Sequence, residues 1–172
     1  KSFDLLIKAG IKNIFDGIDS AWFISDIFKP SPNEKFFDKQ VINIDNKKNI
    51  SQLERLNTSL KNVINLHHSV FHSPRWQLNY PNTFLSDQFS DYLNIYSNAK
   101  YVFSDRIHAA IASICFNTDV TLYTDSERIE MFTRVGCEIK KNSWATIQVD
   151  KPCLEHQKGL QLDLLKELLS NV

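Results

Sequence analysis

Between residues 101 and 135 the chain alternates short β-branched or aromatic runs with longer apolar stretches, and this alternation limits the fold more than any other feature of the sequence. Tyr101-Val102-Phe103 reads as a strand, Ile107 to Phe116 as a helix, Val120 to Tyr123 as a strand and Glu127 to Val135 as a helix. Strands separated by helices of this length call for right-handed crossovers and a parallel sheet. The expected fold class is therefore α/β, a Rossmann-like parallel sheet flanked by helices. The helix 107–116 is apolar nearly all round, which predicts burial between the sheet and other elements.

The remaining segments fit the same plan. Ser2 to Ala9 carries Phe3, Leu6 and Ile7 at helical spacing, with Gly10 as a stop. Ile11 to Phe15 reads as a strand, and Ala21 to Ile24 as a second hydrophobic element. Lys29-Pro30-Ser31-Pro32-Asn33 resists both helix and central strand. It divides residues 1–29, the first βα elements or the end of a preceding lobe, from a Rossmann-like domain over 30–172. Gln40 to Asp45 and Val63 to Leu66 predict strands, and Ile50 to Leu60 and Asp87 to Asn98 predict helices. His72 to Pro81 has no clean period and predicts an ordered loop. A closing helix sets Leu160, Leu164, Leu165, Leu168 and Leu169 on one side, against Gln161, Asp163, Lys166 and Glu167 on the other.

Composition removes several function classes. Lys and Arg number 20, and so do Asp and Glu, so no long-range field draws the chain to nucleic acid. No transmembrane segment and no signal stretch are visible. Cys115, Cys137 and Cys153 form an odd, widely spaced set without a CxxC pair, which fits a reducing, cytoplasmic setting. Neither GxGxxG, GxxxxGK nor GxSxG occurs, which argues against dinucleotide, P-loop and hydrolase-elbow chemistry. His67, His68 and His72 lie close in sequence, but no Cys or carboxylate stands beside them at ligand spacing, so no metal is expected. A contact from His67 or His68 to a ligand in the cleft stays open. Trp76 and Tyr80 are candidates for stacking on a sugar ring, or equally for anchoring their loop.

The informative place is the turn Ser104-Asp105-Arg106-Ile107-His108. Ligands of open parallel sheets collect at the carboxyl ends of strands, where the next helix offers unpaired N–H groups and the positive end of its dipole. Arg106 and His108 stand at such an end. Two residues apart inside one helix, their side chains diverge. Convergence on one ligand therefore requires Arg106 to lie in the turn, with Ser104 or Asp105 as N-cap. The alternative is purely structural: Asp105 caps the helix and pairs with Arg106, while His108 packs.

The run from Asn98 to Ile111 carries the pattern A-x-x-V-x-[ST]-x-R-[LI]-H-x-x-I at Ala99, Val102, Ser104, Arg106, Ile107, His108 and Ile111. In this it resembles the polysaccharide pyruvyl transferase family. Asp119 to Tyr123, with Arg128 ahead of Met131-Phe132, is similar to the family's next strand and basic residue. Ser2 to Leu6, Gly10-Ile11 and Asp19 to Phe23 are similar to a weaker upstream stretch. The resemblance implies a fold like the two-domain GT-B glycosyltransferases, with this chain as the C-terminal portion and an N-terminal lobe missing before Lys1. It implies transfer of a pyruvyl group from phosphoenolpyruvate to a sugar of a cell-surface polysaccharide or exopolysaccharide, as a ketal, with no other cofactor. By position, Arg106 and His108 would be catalytic and donor-binding, joined at the donor by Ser104, Arg128 and Arg75. Two alternatives keep the scaffold: a glycosyltransferase using a nucleotide-sugar donor, and a non-catalytic saccharide-binding subunit.

Overall fold

The structure is a computed structural model that describes residues 2–12, 14–56, 62–68 and 82–170. Its centre is one six-stranded sheet built from β1 (Gln40–Asn43), β2 (Val63–His67), β3 (Thr83–Leu85), β4 (Tyr101–Ser104), β5 (Val120–Tyr123) and β6 (Trp144–Thr146), in the spatial order β3-β2-β1-β4-β5-β6. All neighbours run parallel except β6, which pairs antiparallel with β5. The helices are α1 (Ser2–Lys8), α2 (Ile24–Ile27), α3 (Lys47–Leu56), α4 (Phe89–Asn98), α5 (Ile107–Cys115), α6 (Glu130–Thr133) and α7 (Lys151–Ser170). Short 3-10 turns at Ser20–Phe23 and Glu127–Ile129 lead into α2 and α6. A mostly parallel sheet flanked by helices is the Rossmann-like α/β architecture expected.

Strand periodicity explains why both faces are covered. Successive side chains point to opposite faces, so Val41 and Val102 enter one core while Ile42 and Phe103 enter another. The larger core takes α4, α5 and Trp22, whose ring meets Phe132 edge-on at 5.6 Å. The smaller is closed by Ile50 and Leu53 of α3. The apolar circumference of α5 has the expected result: Ala110 and Ile111 are fully buried, with α4 on one flank and the Ser20–Phe23 turn on another. With few glycines available, asparagines hold several left-handed positions, among them Asn117 after α5 (φ 62°) and Asn142 before β6 (φ 57°).

Several elements differ from expectation. Residues 11 to 15 form no strand among the described residues; Ile11 and Phe15 are about half exposed and have no neighbouring strand to pair with. The helix expected over 127–135 is a 3-10 turn followed by the single turn α6. Strands β3 and β6 were not anticipated. Most of the stripe predicted on α7 is exposed: Leu160, Leu165, Leu168 and Leu169 face solvent, Leu164 is half-buried, and only Leu154 and Lys158 of that helix are buried. No helix among the described residues is long and apolar enough to cross a membrane.

Candidate functional site

Strands β1 and β4 are sheet neighbours, but the chain leaves β1 toward β2 and leaves β4 toward β5. Their connections part at the carboxyl ends, and this reversal point is where open α/β sheets form their ligand crevice. Asp45 and Asn46 follow β1 there, and the Ser104–His108 turn follows β4.

The turn is built from within. The Ser104 hydroxyl donates to the Asn43 carbonyl at 3.0 Å and accepts the Arg106 N–H at 2.9 Å. Asp105 points across the crevice, where its carboxylate accepts from the backbone N–H groups of Asp45 (2.9 Å) and Asn46 (3.1 Å) and from Asn49 Nδ2 (2.9 Å). Burial raises the Asp105 pKa, and these three donors oppose that rise. Neither residue caps α5: the N-cap position belongs to Arg106, and no side chain caps it. The first-turn N–H groups of α5 thus keep no intrahelical partner. Ser104 is fully buried and does not line the cavity, so its hydroxyl shapes the turn and does not reach a donor there.

Arg106 has φ −106° and ψ 116°, an extended backbone outside the helix. This is the condition for Arg106 and His108 to converge, and both line one open cavity of about 290 Å³ together with Asp105, Thr124, Ser126 and Arg128. The Arg106 Nη1 bonds to Asp45 Oδ2 at 2.6 Å. His108, in the first turn of α5, has a side chain 57% exposed, and its Nε2 lies 3.7 Å from Asp19 Oδ2. The other oxygen of Asp19 accepts the Ala21 N–H at 2.8 Å and starts the Ser20–Phe23 turn. Arg128 arrives from the 3-10 turn after β5, where Ser126 accepts its backbone N–H at 3.2 Å. Its guanidinium makes no ion pair among the described residues. The cavity lining therefore combines two arginines, one histidine and a helix start without a side-chain cap with two aspartates, Asp105 and Asp125; the arginines and the helix start are groups suited to an anion. Arg75, Trp76, Tyr80 and His72 lie outside the described residues.

Three features of this end of the sheet go beyond the Ser104–His108 turn; of their residues, the sequence raises only His68, as an open possibility. Asp19 and Asp45 partner His108 and Arg106 from distant parts of the chain, and no local spacing signals such pairs. The third is a cluster around His68, just past β2. Its Nε2 lies 2.6 Å from Asn43 Nδ2 and 3.0 Å from the Tyr96 hydroxyl, and the Asn43 amide also donates to Tyr96. Its ring stacks on Tyr92 at 4.3 Å. Burial, then the charge of Arg106, pull the His68 pKa down to about 4. Burial pushes the Tyr96 phenol well above its ordinary range.

Among curated proteins and among solved structures nothing matches this chain. A family model, polysaccharide pyruvyl transferase, matches residues 1–125. The likeness thus occupies the N-terminal part of this chain and not a C-terminal portion; Arg128 and Met131-Phe132 fall beyond it. It includes Asp19, Asp45, Arg106 and His108, and it covers well over half of the 172 residues, so the chain belongs to the polysaccharide pyruvyl transferase family.

Proposed function

We propose that the crevice between β1 and β4 binds phosphoenolpyruvate and that the chain serves transfer of its pyruvyl group to two hydroxyls of a saccharide. The observation that carries this reading is the convergence of Arg106 and His108 on one cavity at the uncapped start of α5. Arg106 and Arg128 hold the carboxylate and phosphate of the donor by charge-assisted hydrogen bonds. The vinyl carbon of the donor gains a proton, which makes the adjacent carbon electrophilic. One sugar hydroxyl adds there and loses its proton; a second adds as phosphate leaves, closing a cyclic ketal. His108 supplies the proton as general acid, with the Asp19 carboxylate 3.7 Å from its Nε2.

Two guanidinium groups also suit a diphosphate, so a nucleotide-sugar donor is the competing reading; calorimetry with sugar nucleotides against phosphoenolpyruvate separates the two. The deciding assay is phosphate release from phosphoenolpyruvate in the presence of candidate glycans. Arg106→Ala and His108→Ala each lower kcat/KM by roughly a hundredfold or more, with circular dichroism unchanged. Failure of the unmodified protein to release phosphate with any glycan tested removes the reading.

A further inference from the structure

We propose that Asp125 is the residue that receives a sugar hydroxyl in this cavity and takes its proton as the hydroxyl adds to the donor. This rests on the donor reading above and assigns the acceptor side of the same site.

Asp125 follows β5, the sheet neighbour of β4. Their parallel register pairs Ser104 with Leu122, so the segments that leave the two carboxyl ends start side by side, and residues of both line the cavity. The backbone on either side of Asp125 is held. Thr124 is buried; its carbonyl accepts the Asn142 N–H at 2.9 Å and its hydroxyl accepts the Ser126 N–H at 3.0 Å. The Ser126 hydroxyl in turn accepts the Arg128 N–H at 3.2 Å. Asp125 lies between these anchors, and it is exposed.

The other carboxylates of the crevice are occupied. Asp105 accepts three hydrogen bonds from the segment after β1, and Asp45 holds Arg106. Asp19 accepts the Ala21 N–H and faces His108. Asp125 makes no hydrogen bond or ion pair among the described residues, even with Arg128, which lines the same cavity. A carboxylate and a guanidinium that share a cavity without pairing leave room for a ligand to meet both. The two suit different parts of it. The guanidinium donates and takes the anion, whereas an ionised carboxylate can only accept and takes a hydroxyl.

The proposed transfer needs such an acceptor. The vinyl double bond takes a proton from His108, the first sugar oxygen bonds to the adjacent carbon, and its proton passes to the Asp125 carboxylate. The second oxygen then bonds to that carbon as the carbon–oxygen bond to phosphate breaks. The electron pair of that bond and the second hydroxyl proton leave with phosphate. The proton on Asp125 returns through solvent to His108, so both side chains end as they began.

Asp125→Asn in the full chain keeps the size of the side chain and removes its charge and basicity. With a glycan that the parent uses, kcat for phosphate release falls roughly a hundredfold or more. Calorimetry finds phosphoenolpyruvate bound at least as tightly as by the parent, because a negative charge has left the neighbourhood of the anion. Asp125→Glu recovers part of the turnover. A kcat for Asp125→Asn within about tenfold of the parent overturns the proposal and leaves the donor reading standing. So does phosphoenolpyruvate affinity that falls in step with kcat, which makes Asp125 part of the donor's own setting. An unmodified chain that releases no phosphate with any glycan removes the donor reading, and this proposal with it.

Discussion

Replacing Asp105 with alanine tests whether the crevice is assembled by a carboxylate that bridges two strand ends. The side chain accepts three hydrogen bonds from the segment after β1. The Asp45 and Asn46 N–H groups lie near solvent and regain water when it is removed, so each loss is worth about 0.5–1 kcal/mol. Asn49 is different. It is 6% exposed, and a buried amide donor left unpaired costs about 1–3 kcal/mol. Part of this is offset because the variant no longer holds a charge that burial disfavours, the cause of the raised Asp105 pKa. The net expectation is a loss of roughly 2–3 kcal/mol for Asp105→Ala. Asp105→Asn keeps one acceptor oxygen and loses about half as much. Urea unfolding at neutral pH reads both as a lower midpoint with an unchanged slope. An alanine variant within about 0.5 kcal/mol of the parent, the scatter of ordinary surface substitutions, shows that the segment after β1 holds itself and refutes the bridging role.

Three further expectations follow from the same coordinates. The folded pKa of His68 lies below its unfolded value of 6.5, so its contribution is present above that pH and is lost as pH falls toward 4. After discounting for partial exposure of the ring, the parent loses roughly 1 kcal/mol more than His68→Phe between about pH 7 and 5 in urea titrations; parallel pH dependence of the two proteins excludes this. Asp19→Asn keeps an oxygen for the Ala21 N–H but removes the charge near His108. An ion pair this exposed is worth about 0.2–1 kcal/mol, so kcat for phosphate release drops less than about tenfold, and a hundredfold drop would assign Asp19 a direct part in the chemistry. Gly136 has φ +73°, and an added Cβ would lie 2.8 Å from the Asp150 Cβ. Gly136→Ala costs about 1–3 kcal/mol in thermal or urea unfolding, and a variant as stable as the parent contradicts the packing seen there.

What could be read from residues alone was set by how local the signal is. Strand β5 follows its expected bounds, and β4 and α5 nearly do, because long apolar runs and a change of period from two to 3.6 are properties of neighbouring residues. The placement of Arg106 outside the helix was framed correctly as a geometric requirement. The role of Asp105 was not, since its partners after β1 become neighbours only when β1 pairs with β4. The same holds for Asp45 beside Arg106 and for Asn43 beside His68. Three-residue strands such as Thr83–Leu85 and Trp144–Thr146 carry too few side chains to show alternation. The α7 leucines mark a different limit: an amphipathic stripe tells which residues share a face but not what covers that face, and here most of it is exposed.

The bond between Arg106 and Asp45 gives the crevice a form of discrimination by valence. As a pair the two side chains carry little net charge, so passing anions feel only a weak pull at a distance. Attraction grows at contact range, where the donors that Asp45 leaves free can be reached. Chloride or a simple carboxylate gains little beyond what Asp45 already supplies. On the proposed reading, a ligand with two separated anionic groups engages Arg106 and Arg128, which line the same cavity, and monovalent ions then compete poorly with it.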